Sequence, residues 1–254
     1  MIHSVTVKGI TIGEGMPKVI VPIVAADRED ILEKAEEIRF LNVQMVEWRA
    51  DFYEDVADPE KTLGTLRALR KALGSKLLLY TFRSSGEGGN REIAADEYRA
   101  LNLAVADSAQ ADFVDVEVFS LGVNARSHIA EIHHRGAYVI GSSHDFEKTP
   151  KKEELVRRMR WMQEVGADIP KLAVMPTCTK DVLDLLDATR EMTEAYADRP
   201  VITMSMAPLG VISRLSGELF GSAMTFGAVG SVSAPGQIPV DQLNQCLTIF
   251  HNAL

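Results

Sequence analysis

KVIVPI, at residues 18–23, is the first of eight short apolar runs that are mostly rich in β-branched residues. The other seven are VQMVEW (43–48), KLLLYTF (76–82), DFVDVEV (112–118), AYVIGS (137–142), IPKLAVM (169–175), PVITMS (200–205) and MTFGAV (224–229). Continuous apolar runs of this length are typical of strands that are buried on both faces. We therefore predict eight buried strands.

Segments with helical periodicity lie between these runs. They include REDILEKAEEIRFL (28–41), PEKTLGTLRALRKAL (59–73), KKEELVRRMRWMQEVG (151–166), DVLDLLDATREMTEAYA (181–197) and VDQLNQCLTIFHNAL (240–254). Asp58 is a plausible N-cap of the second segment. Successive strand starts lie 24 to 36 residues apart, which matches the ~30 residues of a βα unit. Eight strands alternating with eight helices predict a (β/α)₈ barrel, also called a TIM barrel, within the α/β class.

The alternative architecture is an open, doubly wound sheet. That fold usually carries a glycine-rich phosphate turn after its first strand, and VPIVAADRED (21–30) contains no glycine. No linker rich in Pro, Gly or Ser interrupts the series, so we expect one barrel domain over residues 1–254. Its first segment, VTVKGITIGEG (5–15), alternates apolar and polar residues, and we expect residues 1–16 to form a β-hairpin that closes the barrel bottom.

The composition limits the kinds of partner that the protein can bind. The 254 residues are 46% apolar and 25% charged, as in ordinary globular proteins, and 27 Lys and Arg against 36 Asp and Glu give a net charge of −9. An acidic chain repels the nucleic acid backbone, and no apolar run approaches the ~20 residues of a membrane span. The N-terminus lacks the pattern of a signal peptide, and Cys178 and Cys246 need no pairing, so we expect a cytoplasmic protein that binds neither nucleic acid nor membrane.

In a barrel of this kind the reactive groups come from the carboxyl ends of the strands and the loops that follow. Polar residues do cluster at these places. They comprise Glu47 to Asp51 after strand two, Arg83 to Gly89 after strand three, Ser142 to Asp145 after strand five, Lys171 in strand six, Arg214 after strand seven, and SVSAPGQ (231–237) after strand eight.

Lys171 stands within an otherwise apolar strand, IPKLAVM. If it faces the interior, desolvation and nearby cations would lower its pKa, and the neutral amine could attack a carbonyl to form an imine. If it lies at the strand's entrance, it reaches solvent at the barrel bottom, as we expect for Lys76. The sequence leaves both interpretations open.

His144 follows a strand end, and Glu87 is available from another loop to orient its ring. A neutral imidazole is the usual proton shuttle near neutral pH, whereas a capping or core histidine is the plainer interpretation. The other histidines, near the terminus or on helix faces, are expected to be structural or solvated.

Three arginines, Arg49, Arg83 and Arg214, lie at strand ends and could clamp an anionic ligand. Each taken alone is more readily explained as a surface or ion-paired arginine. The stretch GEGG (86–89) lacks the GK[ST] ending of a phosphate loop, so we interpret it as a mobile loop. No metal-binding motif is present, and we expect no metal.

Seven segments, in order and at the expected strand ends, resemble those of the type I 3-dehydroquinate dehydratases. They are GEGMPK (13–18), EWRAD (47–51), TFRSSGEGG (81–89), SSHDFEKTP (142–150), ADIPKLAVMP (167–176), MSMAPLGVISRLSGELFGSAMTFG (204–227) and SAPGQIP (233–239). The resemblance covers nearly the whole chain. One departure is Pro22, which stands where some relatives have a hydroxyl residue and cannot make that polar contact.

The resemblance implies a lyase of the shikimate pathway, serving aromatic amino acid biosynthesis. Lys171 would form a Schiff base with the C3 ketone of 3-dehydroquinate, His144 would be the general acid and base, and Glu87 would orient it. The product of the syn elimination would be 3-dehydroshikimate. Substrate would be held by Arg214 at its carboxylate, by Glu47, Arg49 and Arg83 around the ring hydroxyls and carbonyl, and by Ser233 and Gln237 of a closing loop. The resemblance further implies that Met204 and Met206 line the pocket, that no cofactor is needed, and that the protein is a homodimer.

Two other functions remain as alternatives. A class I aldolase also places an imine-forming lysine in a (β/α)₈ barrel, but the chain lacks its glycine-rich phosphate turn after strand seven. A barrel that only binds a carboxylate metabolite would need neither Lys171 nor His144.

Overall fold

The computed structural model describes residues 2–230 and 235–254. All eight predicted strands are present and parallel to their neighbours: β3 (Lys18–Ile23), β4 (Met45–Arg49), β5 (Leu77–Thr81), β6 (Phe113–Glu117), β7 (Tyr138–Asp145), β8 (Ile169–Val174), β9 (Ile202–Ser205) and β10 (Met224–Ala228). An antiparallel hairpin, β1 (Val5–Val7) and β2 (Ile10–Ile12), precedes them, and β11 (Ile238–Pro239) pairs with β10.

The described helices are α1 (Arg28–Arg39), α2 (Pro59–Leu73), α3 (Ala95–Asp107), α4 (Val118–Leu121), α5 (Ala125–His134), α6 (Lys152–Glu164), α7 (Thr179–Glu191), α8 (Val211–Leu215), α9 (Gly217–Phe220) and α10 (Val240–Ala253). Asp58 caps α2 as predicted, since its carboxylate accepts from the backbone of Glu60 and Lys61. At least one helix follows each of the eight barrel strands, as the sequence predicts. Two short helices, α8 and α9, replace the helix between β9 and β10, because Ser216 ends α8 and Gly221 ends α9 in a left-handed turn (φ 98°).

The sheet closes on itself where β9 meets β10. Parallel pairing runs from β10 through β3 and onward in chain order to β9. At the remaining seam the Ala223 amide donates to the Val201 carbonyl (2.8 Å), and the Thr203 amide donates to Ser222 Oγ (3.0 Å). These bonds complete the (β/α)₈ barrel.

Side-chain alternation along the strands divides the barrel into an apolar end and a polar end. Inward residues near the strand starts, among them Ile20, Met45 and Phe113, form one buried cluster, and Ile12 of the hairpin packs into it with no exposed surface. Continuing the same alternation, the inward residues at the carboxyl ends of β4, β6 and β7 are polar or charged, and Lys171 is the inward residue midway along β8. The fold therefore gathers the candidate site residues at one end.

The helices and the two cysteines were also the subject of expectations from the sequence. No helix in residues 2–230 and 235–254 is long and apolar enough to span a membrane. Cys178 is exposed, Cys246 is half-buried, and neither forms a disulfide.

Candidate active site

Strand register brings Lys171 and His144 to the same inner surface. In the pairing of β7 with β8, Ser142 lies opposite Lys171 and His144 lies opposite Ala173. Residues two apart on a strand share a face, so all four side chains point into the barrel. Two boundaries differ from prediction: β4 extends to Arg49, one residue beyond the predicted run, and β7 extends through His144 to Asp145.

The Lys171 amine is buried inside the barrel, with the residue only 3% exposed. The strand-entrance interpretation is therefore wrong. The amine lies 3.5 Å from Asp115 Oδ2, 3.8 Å from Glu47 Oε1 and 4.7 Å from the centre of the Phe226 ring. We expected cations beside it, but the charged groups in contact with it are carboxylates.

His144 and Glu87 form a buried pair. Glu87 Oε2 lies 2.9 Å from His144 Nδ1 and also accepts the His144 backbone amide at 3.0 Å. Burial raises the pKa of Glu87 to about 8, with Glu117 and Asp115 adding to the rise and Arg83 opposing it. Burial also lowers the pKa of His144, and Arg83, Lys171 and Arg49 lower it further. Because the two groups are hydrogen-bonded, the protonation of one depends on that of the other.

The segment that carries Glu87 folds back tightly on itself. The Gly89 amide donates to the Ser84 carbonyl (2.8 Å), and a Cβ on Gly89 would lie 1.9 Å from the Arg83 carbonyl oxygen. Only glycine fits such an approach. The Ser85 amide also donates to the Arg91 carbonyl (2.8 Å), so the segment is tied to the chain on both sides. The expected mobility of this loop stays a prediction.

Arg83 is surrounded by carboxylates. Its guanidinium lies 2.8 Å from Asp115, 3.0 Å from Glu117 and 3.6 Å from Glu87, and it donates to Ser142 Oγ at 2.9 Å. Burial alone would lower the pKa of Arg83, but the carboxylates raise it well above its ordinary value. Conversely, Arg83 and Lys171 hold the pKa of Asp115 below its ordinary value against the opposing effect of burial.

Sequence reasoning missed Asp115 and Glu117. Both belong to DFVDVEV, where they alternate with valines and share the inward face of β6 with Phe113. That alternation of carboxylates within a buried strand is the signal that could have revealed them.

The charge of Arg49 is balanced by Asp51. It donates from Nε and Nη2 to the two carboxylate oxygens of Asp51, at 2.8 and 2.7 Å. Asp51 has no exposed surface and further accepts the backbone amides of Arg83 (3.3 Å) and Asn90 (3.0 Å). It thereby ties Arg49 to the segment that carries Glu87.

Arg214 differs from the other two arginines. It is 1% exposed, and burial lowers its pKa to about 10. Within residues 2–230 and 235–254 it forms no ion pair, its Nε has no hydrogen-bond partner, and Nη2 donates to the Pro235 carbonyl at 3.0 Å. All three arginines line the same cavity, and among the described residues Arg214 is the one of the three whose charge no carboxylate balances.

These groups surround one open cavity. It is lined by Glu47, Arg49, Arg83, Glu87, Gly88, His144, Phe146, Lys171, Ala173, Met204, Met206, Arg214, Phe226 and Gln237. Of the predicted site residues, Ser233 lies outside the described residues. Among those described, no three His, Cys, Asp or Glu side chains are arranged to hold a metal ion.

Comparison with known proteins identifies the family. The family model "Type I 3-dehydroquinase" matches residues 19–253. The chain belongs to the type I 3-dehydroquinase family. It is 49% identical to the 3-dehydroquinate dehydratase of Bacillus subtilis over 249 residues, 98% of both chains, and 49% identical to that of Clostridioides difficile over 255 residues, the whole of both.

Solved structures of family members agree closely with this fold. The type I 3-dehydroquinate dehydratase from Clostridium difficile, solved with covalently modified comenic acid, matches with a TM-score of 0.97 at 49% identity and covers both chains completely. The 3-dehydroquinate dehydratase from Geobacillus kaustophilus matches with a TM-score of 0.95 at 39% identity, over 98% of this chain and 97% of the other.

Proposed function

We propose that the protein dehydrates 3-dehydroquinate to 3-dehydroshikimate in the shikimate pathway, through a Schiff base on Lys171. Membership of the type I family supports the reaction. The observation that supports the mechanism is a buried primary amine that shares one cavity with the Glu87–His144 pair and with the uncompensated charge of Arg214.

In the first step the Lys171 amine attacks the C3 carbonyl carbon. The carbinolamine loses its hydroxyl as water, and the resulting iminium becomes the electron sink for the next step. Glu47, whose Oε1 lies 3.8 Å from Nζ, can accept the proton that the amine must lose before it attacks and can return it to the carbinolamine hydroxyl as that group leaves.

His144 then transfers one proton twice. The form of the pair that acts as base is the one that has lost its proton, in which Glu87 is ionised, Nδ1–H donates to the carboxylate and Nε2 carries the lone pair. Because burial raises the pKa of Glu87 to about 8, this form becomes more populated as the pH rises toward 8. Nε2 then removes a C2 proton and the electrons pass into the iminium. Nε2–H next protonates the departing C1 hydroxyl, which leaves as water on the same face. Hydrolysis of the conjugated iminium releases 3-dehydroshikimate and restores the amine.

The remaining residues hold the substrate. Arg214 binds the carboxylate, because an anion supplies the counter-charge that this buried cation lacks. Glu47, Arg49 and Arg83 contact the ring hydroxyls and the carbonyl, while Gln237 and Ser233 contribute from the segment after β10. Every step uses side chains of this chain, and none requires a cofactor.

We also propose that the protein is a cytoplasmic homodimer, as the family resemblance implies. Sedimentation velocity tests the dimer, whose mass should be twice the 27.9 kDa of one chain.

Turnover of 3-dehydroquinate is the direct test. The conjugated enone of 3-dehydroshikimate absorbs in the ultraviolet, so the reaction can be followed continuously. We expect saturable production of the enone without added metal or cofactor. Consumption of a phosphorylated ketose with release of two carbonyl fragments would instead indicate the aldolase, and binding without turnover would indicate the silent barrel.

A further inference from the structure

Glu117 is a buried carboxylate that none of the proposed steps uses. It lies at the end of β6, is 1% exposed, and is not among the described residues that line the cavity. It accepts three hydrogen bonds: from Arg83 Nη1 at 3.0 Å, from the Ser84 amide at 2.8 Å, and from Ser84 Oγ at 2.6 Å.

The bonds from Ser84 fix the start of the segment that carries Glu87. The Glu87 amide donates to the Ser84 carbonyl at 3.0 Å, which closes a tight turn between the two residues. Because Ser84 is held through both its backbone and its side chain, the position of Glu87 relative to β6 depends on Glu117.

The hydrogen bond from Arg83 to Glu117 affects the charge around the Glu87–His144 pair. Arg83 Nη1 lies 3.0 Å from Glu117 but 3.6 Å from Glu87, although all three side chains are buried. Removing the carboxylate of Glu117 would free this nitrogen to pair with Glu87. A full ion pair there would compete with the hydrogen bond between Glu87 and His144.

We propose that Glu117 is a positioning residue, which holds Ser84 and Arg83 so that Glu87 remains hydrogen-bonded to His144 instead of pairing with Arg83. The inference deepens the proposed function, because it concerns the pair to which that function assigns proton transfer.

The charged groups around the pair determine the direction of the expected effect. They come from five elements and their following segments: Arg49 of β4, Arg83 after β5, Asp115 and Glu117 of β6, His144 of β7, and Lys171 of β8. Of these, Glu117 is an anion that stabilises the protonated form of Glu87. Its removal makes the site more positive, so the pair should lose its proton at lower pH.

The test is Glu117→Gln, which keeps the size of the side chain and removes its charge. Two quantities are measured: the pH dependence of kcat/KM for 3-dehydroquinate, and the NMR titration of the His144 ring in the free enzyme. We expect both midpoints to fall by about one pH unit. In a Glu87→Gln background, Glu117→Gln should cause no comparable shift.

Asp145→Asn is the matched control. It removes the same charge beside His144 in sequence, but Asp145 is partly exposed and its carboxylate accepts from the Glu147 and Lys148 amides rather than from the Glu87–His144 pair. Both midpoints should stay at the wild-type value in this variant. Midpoints unchanged in Glu117→Gln, or a shift that persists in full when Glu87 is Gln, would overturn the proposal.

Ser84→Ala provides a second test if Glu117→Gln does not fold, because it deletes the 2.6 Å hydrogen bond and keeps every charge. We expect kcat to fall several-fold with little change in KM, since Ser84 does not line the described cavity. An unchanged kcat would contradict the proposal. The NMR titration needs no substrate, so it still decides the role of Glu117 if the protein fails to turn over 3-dehydroquinate.

Discussion

In the proposed mechanism, His144 transfers protons because its neighbours fix both its orientation and its charge. Glu87 accepts the backbone amide of His144 and lies 2.9 Å from Nδ1 of its ring, which leaves Nε2 for the substrate. Arg83, Lys171 and Arg49 disfavour the imidazolium. An imidazole that is kept neutral and oriented in this way is poised to act as a base.

Replacing His144 therefore tests the assignment of the base. In His144→Ala we expect kcat to fall on the order of 10²–10⁴-fold, which is the usual contribution of a positioned acid–base group. Steady-state kinetics on 3-dehydroquinate measures this loss. His133→Ala is the control, because His133 bonds Asp168 on the outer surface of the barrel. Equal activity in the two variants would show that another residue is the base.

The barrel strands were predictable because each is a short, continuous apolar run and the runs recur at regular intervals. Each of the eight apolar runs overlaps an observed strand, and β3 and the start of β8 agree to the residue. The loops and contacts were less predictable. Whether Lys171 faces the interior depends on the register of β8, and the pairing of Arg49 with Asp51 depends on side-chain geometry that spacing does not contain. Asp115 and Glu117 were visible in the sequence but were not recognised.

The hairpin of β1 and β2 is an element whose role we propose from its packing. Ile12 is fully buried among the inward residues at the strand starts, so the hairpin covers the end of the barrel opposite the cavity. Burying this side chain supplies apolar contacts that the open barrel end would otherwise lack.

Truncating Ile12 should consequently affect stability rather than chemistry. We expect Ile12→Ala to lower the free energy of unfolding by about 2–5 kcal/mol, as for other large-to-small core substitutions, and to leave kcat near the wild-type value. Urea denaturation measures the change. Thr6→Ala, on the exposed side of the same hairpin, should have little effect. A loss of activity without a loss of stability would indicate that the hairpin takes part in catalysis.

At the scale of the whole molecule, an acidic chain has concentrated its buried charges in one place. The net charge is −9, yet Arg83, Arg214 and Lys171 are all nearly inaccessible to solvent. Arg83 is balanced by carboxylates, Arg214 by none of the described side chains, and Glu87 is held in a site that favours its protonated form. The folded state therefore carries a free-energy cost that depends on pH.

The contribution of Glu87 to the free energy of unfolding can be measured through its pH dependence. The folded pKa of Glu87, about 8, lies above the ordinary 4.5, so the stability associated with its protonated form is complete below about pH 4.5 and is lost as the pH rises through about 8. Glu87→Gln cannot ionise. We expect its free energy of unfolding, relative to wild type, to increase by on the order of a few kcal/mol between pH 5 and pH 8.5.

Urea denaturation at the two pH values measures this difference. The exposed Glu147→Gln serves as the control, and its stability relative to wild type should not change with pH. A difference between Glu87→Gln and wild type that is constant with pH would show that Glu87 is already ionised at pH 5.

Imine formation on Lys171 is the central claim, and reductive trapping tests it most directly. The protein is incubated with 3-dehydroquinate and sodium borohydride, and its intact mass and peptide map are then measured by mass spectrometry. We predict one stable adduct on Lys171 in the wild type and none in Lys171→Ala, which should fold because Arg83 and Ser142 still bind Asp115. An unmodified wild-type protein that nevertheless consumes 3-dehydroquinate would contradict the claim, as would an adduct on any other lysine.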